Sequence, residues 1–450
     1  MFKKKNTHTQ LNWIDEFIHN VKPYIFVRPE DNLLIKRPNQ ATKINQMGAL
    51  LLSDLLNGNN IGNILQKLNP NEQQLNEINQ FFIGVKQYLE GQLDIFTCNP
   101  AVEKKAFEMN YSKYPVLSEL ALTYKCNLKC RFCYAGCNCT VNPAGSEKEL
   151  NTAEFKDIIT GIYNDAKVPS ISFTGGEPTM VKELPELITH AKKLGMRVNL
   201  ISNGTLITKD KAKAYVDAGL DSVQISLEGV TRKTHELLTD VKGSFDKTVA
   251  AIGYLKNLNI HTHTNTTLTR LNLDEACLFP EFIKNVLGND KFSMNFIIPT
   301  GSTNFNDELV ISYNEIGSHL VNIQNVSKKT GVEFMWYSPV PMCMFNTITH
   351  ELGNKGCAAC DGLLSVAPNG DVLPCASYDE SVGNMHALGF QKVWDSKQAT
   401  HYRKKEFAHD ICKKCEHFAI CNGACPLYWR AIGYRELEET NCQLTKNPKS

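Results

Sequence analysis

Residues 125–139 read KCNLKCRFCYAGCNC, and they follow at once on LSELALTY (117–124), an apolar run with β-strand character. Three chemistries use thiols at this density: disulfides, zinc sites and iron–sulfur clusters. Each makes a different demand on the rest of the chain. The chain has 450 residues and 16 cysteines. Its start, MFKKKNTHTQLNW, is basic but has no apolar run behind it, so it does not read as a signal peptide. No stretch approaches the ~18 apolar residues of a membrane span. These features place the protein in the cytoplasm, where thiols stay reduced and clustered cysteines are metal ligands or redox groups. A net charge of +1, with 42% hydrophobic and 21% charged residues, fits a soluble globular protein and gives no sign of a nucleic-acid or membrane partner.

Outward from the cysteines the pattern alternates. Apolar, β-prone runs stand at 117–124, 170–175 (SISFTG), 197–202 (RVNLIS), 222–227 (SVQISL), 261–269 (HTHTNTTLT) and 292–298 (FSMNFII). Helical patterns fall between them at 152–166, 184–195, 209–219, 244–258 and 273–287. Such alternation predicts a parallel sheet with right-handed crossovers. Six strands predict an α/β fold, a partial (β/α)6 TIM-type barrel, with ligands at the C-terminal strand ends. The cysteine loop follows the first strand and TGGEP (174–178) follows the second, so both lie on one rim.

The flanks differ from this core. Residues 1–100 start with an amphipathic stretch (11–21), continue as short β-prone runs broken by Pro, Asp and Asn (24–45), and end in three helical segments (46–56, 61–68, 72–89). They predict a separate α+β domain, with 101–116 as linker. The barrel is expected over 117–335. From 336 to 450 short loops, dense cysteine and the hairpin signal APNGDVLPC (367–375) predict a Cys-rich domain.

Cys126, Cys130 and Cys133 form C-x3-C-x2-C. Three thiolates on one tight loop can bind three irons of a 4Fe–4S cluster and leave the fourth open. Phe132 offers a face for a purine ring. A zinc site or a metal-free Cys-rich loop is the plain alternative. Cys137 and Cys139 read as loop thiols, and Cys98 and Cys277 as small buried apolar groups. C-x3-C-x-aromatic-C after the first strand, together with TGGEP after the second, resembles the radical S-adenosylmethionine (SAM) superfamily over about 117–300. The resemblance implies that SAM chelates the open iron and is cleaved to a 5′-deoxyadenosyl radical. It implies that Gly175, Gly176 and Glu177 hold the SAM amino group. It also implies that Ser202 and Asn203 (ISNGT) and Ser226 and Glu228 (SLEG) reach the ribose and methionine end. Plain turn formation is an equal reading of those strand-end polar groups.

From 360 onward, Cys360-x9-Gly370-x4-Cys375, then Cys412-x2-Cys415-x5-Cys421-x3-Cys425, then Cys442 resemble the SPASM extension. That resemblance implies two auxiliary 4Fe–4S clusters, three with the SAM cluster. Cys360, Cys375 and Cys425 would ligate the first, with Cys343 or Cys357 as alternatives for its fourth ligand. Cys412, Cys415, Cys421 and Cys442 would ligate the second. Structural zinc sites are the alternative. Gly370 is expected to turn its hairpin with positive φ. Sulfatase-activating relatives carry Asp after the cysteine that corresponds to Cys375; Ala376 here argues against that activity, and the nearby Asp379 is a weak substitute.

Residues 32–68 resemble the PqqD-like peptide-recognition domain, a winged-helix-like fold that takes up a leader peptide as an added strand. A plain helical cap or dimerisation module is the alternative. Together the resemblances imply a maturase of a ribosomally made precursor peptide. It would install a thioether or carbon–carbon crosslink, with electrons from a reduced flavodoxin or ferredoxin. No catalytic base is identified. Competing expectations are a peptide epimerase, an enzyme of a small-molecule or tetrapyrrole cofactor, and a peptide-binding protein without catalysis.

Overall fold

The computed structural model describes residues 11–92, 99–103, 112–137 and 148–446, with side chains to 440 apart from that of Phe305. Cys98 and Cys139 lie outside the described residues, as does the side chain of Cys442. The chain forms two compact units that divide at 117/118.

The first unit has helix Trp13–Val21, strands β1 (Ile25–Arg28), β2 (Leu33–Lys36) and β3 (Gln40–Lys43), and helices Gln46–Leu56, Ile61–Leu68 and Glu72–Leu89. The strands form an antiparallel sheet in sequence order. Asparagine starts each of the last three helices: the side chains of Asn45, Asn60 and Asn71 accept from the N–H groups of Gly48, Asn63 and Gln74. These caps satisfy amides that the helices cannot bond internally. Ile14 and Ile18, one turn apart, enter a core with Leu34, Leu52, Leu55, Phe82 and Val85. Gly48 lets Phe81 lie against its helix, since a Cβ there would stand 2.1 Å from the ring.

In the second unit β4 (Leu117–Ala121), β5 (Ser170–Thr174), β6 (Arg197–Ser202), β7 (Ser222–Ser226), β8 (His261–Leu268) and β9 (Lys291–Phe296) run parallel in sequence order. These are the six expected strands. A seventh, β10 (Glu333–Trp336), pairs parallel with β9. Helix Tyr313–Thr330, bounded by a Ser312/Glu315 capping box and by Gly331 at φ +71°, leads to it. On the other edge β4 is followed by β11 (Leu363–Val366), β12 (Asp371–Leu373) and β13 (Gly383–Asn384). The Cys-rich segment thus extends the barrel's own sheet. Gly370 turns β11 into β12 at φ +88°, as its place in the hairpin predicted. No described helix is long and apolar enough to cross a membrane.

Candidate functional site

Because β4–β9 are parallel, the loops after them share one rim. The loop after β4 carries Cys126, Cys130 and Cys133, all half-buried. Lys129 N–H donates to Thr239 O (3.0 Å) and Arg131 N–H to Leu238 O (3.0 Å), which ties the loop to helix Arg232–Thr239. Ser302 N–H donates to Cys133 O (2.9 Å), and Gly301 at φ +54° makes room for that approach. The thiols lie within electrostatic reach of one another. Burial pushes Cys126 up to about 11 and Cys130 well above the ordinary thiol value, so they need a metal or another cation to hold their thiolate forms. Cys137, read from sequence as a loop thiol, hydrogen-bonds to Cys133 and lowers its pKa.

The two glycines of TGGEP bring two loops together. A Cβ on Gly175 would lie 2.3 Å from Thr123 O, and one on Gly176 2.4 Å from Lys125 O. Gly176 N–H and Glu177 N–H donate to those same carbonyls at 2.7 and 2.9 Å. Glu177 is fully buried. Its Oε1 accepts from Thr179 N (3.0 Å), Thr179 Oγ1 (2.5 Å) and Ser202 Oγ (2.7 Å), and its Oε2 from Asn203 N (2.8 Å). The carboxylate therefore clamps the end of β6 to the loop after β5. Burial raises its pKa, and the four donors pull against that rise.

Asn203 continues the network. Its Nδ2 donates to Asn127 Oδ1 (3.1 Å), inside the cysteine loop, and Thr205 N–H and Oγ1 donate to its Oδ1. The ends of β5 and β6 and the cysteine loop after β4 are thus joined by one chain of hydrogen bonds through Glu177, Ser202, Asn203 and Asn127. Ser226 closes β7. Beyond it Glu228 is buried, accepts from Thr267 N–H (2.9 Å), and is pushed up to about 8 by burial. Phe132 packs on Leu238, Ile297 and Leu309, an apolar wall beside the cysteines.

The C-terminal thiols form two groups. Burial first, and then Cys425 and Cys357, push the Cys375 thiol up, and Cys357 also acts on Cys360. Cys343 instead feels Cys421 and Cys415, and Met342 N–H donates to Cys421 Sγ at 3.4 Å. Cys357 therefore falls with Cys360, Cys375 and Cys425, while Cys343 falls with Cys412, Cys415 and Cys421. The segment 409–421 carries three of these cysteines and has no buried side chain. Its helices, Asp410–Lys413 and Phe418–Cys421, are four residues long. Neither packing nor helix length holds it in place, so its donor set fits a metal-held loop. Among the described residues no three His, Cys, Asp or Glu side chains gather tightly enough for a single metal ion. Thiolates at the corners of a cubane stand farther apart than those on one ion.

Glu119 went unnoticed in the sequence. It lies on β4 and accepts from Ser365 and from Ala376 N–H, and burial raises its pKa. Position 376 holds no acid, yet a carboxylate meets it from another strand. An acid within a run of otherwise apolar strand positions was the signal available. Asp379 is engaged with Arg430 at the surface (3.1 Å).

Comparisons with known proteins bear on this geometry. Residues 120–278 match the radical SAM superfamily, and residues 357–416 match the SPASM iron–sulfur cluster-binding domain. AdoMet-dependent heme synthase of Methanosarcina barkeri is 28% identical over 352 residues, 73% of this chain and 96% of that protein. PqqA peptide cyclase of Bradyrhizobium diazoefficiens is 26% identical over 326 residues, 69% of this chain and 81% of its own length. The crystal structure of Streptococcus suis SuiB bound to precursor peptide SuiA superposes with a TM-score of 0.68 at 17% identity, covering 90% of this chain and 95% of that one. The unit from 118 onward is only about three quarters of the chain, so this last match extends into the first unit.

Proposed function

We propose that this chain, which carries a radical SAM domain with a SPASM domain behind it, is a radical SAM peptide maturase that binds a precursor peptide by its leader and crosslinks its core. The observation that carries the reading is the fold match to SuiB bound to its precursor peptide SuiA, a match that reaches beyond the barrel into the first unit. Cys126, Cys130 and Cys133 would hold the SAM cluster. Cys357, Cys360, Cys375 and Cys425 would hold the first auxiliary cluster. Cys412, Cys415 and Cys421 would hold the second, with Cys343 or Cys442 as fourth ligand. When bound, SAM and the reduced cluster supply a 5′-deoxyadenosyl radical. The chain's own residues position and shield. The Glu177–Ser202–Asn203–Asn127 network sets the rim, and Phe132, Leu238, Ile297 and Leu309 keep water from it. Gly175, Gly176, Ser226 and Glu228 line the strand ends where SAM would lie. Electrons would come from a flavodoxin or ferredoxin in the cytoplasm.

The leader would add to the edge of β3. Ile44 N–H bonds to Asn32 O, so by the antiparallel alternation Thr42 and Gln40 face β2, while Ala41 and Lys43 face outward. Lys43 O takes Glu103 N–H at 3.0 Å, and Ile44 bridges Val102, which fills one end of that edge. Ala41→Pro removes an outward N–H and spares the β2 ladder. Labelled synthetic peptides from short reading frames beside the gene should bind wild type and bind Ala41→Pro about tenfold more weakly. SAM cleavage by the reduced protein should not change.

A second reading, an enzyme acting on a heme precursor, is favoured by the heme synthase similarity, which spans most of that protein. Fluorescence anisotropy with those peptides, run beside an iron-porphyrin absorbance titration, separates the two. Porphyrin binding without peptide binding would overturn the maturase reading.

A further inference from the structure

Two cations stand beside the first auxiliary group of cysteines, and the barrel chemistry makes no use of them. Lys405 is buried, and its Nζ donates to Cys357 O at 2.6 Å. It pairs with Asp361 at 3.2 Å. Arg403 donates from Nε to Cys360 O at 3.1 Å and lies over the Trp394 ring, 4.6 Å from its centroid. Both cations therefore bond to backbone carbonyls of residues in the C-x2-C pair.

The backbone shows that this placement is built. Lys405 sits at φ +55° and Cys360 at φ +48°, left-handed conformations that side chains other than Gly and Asn seldom take. Just past helix Lys397–Arg403, glycine would relax the turn. Lysine there accepts the strain and sends its ammonium inward. An interior ammonium is costly unless charges nearby repay it. Asp361 offsets part of this cationic charge, and Arg403 and Lys405 still both favour the thiolate of Cys360.

We propose that Lys405 and Arg403 raise the reduction potential of the iron–sulfur cluster held by Cys357, Cys360, Cys375 and Cys425, and so fit it to accept an electron. The inference rests on the auxiliary-cluster assignment made above. Reduction adds one negative charge to the cluster. A fixed cation in a low-dielectric setting stabilises the reduced form more than the oxidised one. Hydrogen bonds and charges just outside the ligands are established levers on such potentials. Lys405 and Arg403 are positioning residues in this role, since they act through the cluster.

The test is an EPR-monitored redox titration of the reconstituted holoprotein in a Cys126→Ala/Cys130→Ala/Cys133→Ala background. The signal lost on adding Cys375→Ala is the one followed. Lys405→Met and Arg403→Gln should each lower its midpoint, shifting the one-electron equilibrium about tenfold, which is about 59 mV. Asp361→Asn should raise it. Opposite signs from the cations and the acid mark an electrostatic role, because a mere tether would not reverse with charge. Unchanged midpoints, or shifts of one sign in all three variants, with iron content retained would overturn the proposal. If Lys405→Met loses iron, Arg403→Gln and Asp361→Asn decide it. If the triple-alanine background holds no auxiliary iron at all, the cluster assignment fails instead, and iron analysis shows this before any titration.

Discussion

The barrel rim and the Cys-rich segment each gather thiols, but they hold them differently. At the rim Glu177, Ser202, Asn203 and Asn127 form a hydrogen-bonded chain anchored on a parallel ladder. Its geometry is set by polypeptide alone. Between 409 and 421 Cys412 and Cys421 sit on two four-residue helices with Cys415 between them, and no side chain in the span is buried. Left-handed residues at Asn422 and Ala424 follow at once. That region has no side-chain core of its own, whereas the network at the rim stands on a buried ladder. The difference suits the proposed division of labour: beside its cluster the rim must keep a polar pocket ready for SAM, and the Cys-rich segment would hold clusters alone.

Stripping the iron should separate the two most sharply. With an anaerobic chelator, amide exchange across 409–421 should speed up by about a hundredfold or more, which corresponds to about 2.7 kcal/mol of lost linkage. Amides of β5–β7 should keep their protection. Equal loss in both regions would erase the contrast. Glu177→Gln tests the other side. An amide offers one acceptor to four donors and sets an NH2 against at least one of them. Urea denaturation should show a loss of about 2 kcal/mol, and equilibrium dialysis should show weaker SAM binding. The EPR signals of the auxiliary clusters should not change. Their loss would mean that the rim and the distal region depend on one organising network.

The same contrast explains what the sequence could reveal. Alternating runs and helical periods located all six central strands, because each buries a face with its own period. The C-x3-C-x2-C loop and TGGEP fell on one rim because parallel strands leave them no other place. The strand Glu333–Trp336 escaped notice: EFMW is four residues long and follows an 18-residue helix, so no alternation marks it. The Gly175–Gly176 pair read as room for backbone to approach a cofactor; the folded chain shows that it also makes room for Thr123 and Lys125. Spacing left Cys343 and Cys357 interchangeable; only the folded chain puts Cys357 beside Cys375 and Cys343 beside Cys421. Glu119 meets Ala376 across strands distant in sequence, which no local pattern encodes.

The seam between the two regions yields the smallest expected effect. Helix Tyr313–Thr330 leads from the barrel toward β10, and its first residue, Tyr313, is buried against Tyr428, with ring centroids 3.9 Å apart, and against Phe296 at 5.3 Å. Glu315 caps this helix and pairs with Arg270 at 2.9 Å. Arg270 first, and then the Ser312 N–H, hold its pKa down to about 2. A depressed carboxylate pKa adds stability above the ordinary value near 4.5, and that stability is lost as pH falls toward 2. Both partners are about half exposed, so solvent screens most of the gain. Glu315→Gln should therefore cost less than about 1 kcal/mol at neutral pH, and the gap between variant and wild type should close in urea titrations run below pH 4. A larger loss would mean that the ion pair, rather than the buried Tyr313–Tyr428–Phe296 stack, fixes the start of this helix. The burial of those rings argues for the stack, since each removes a large apolar face from water while the pair stays wet.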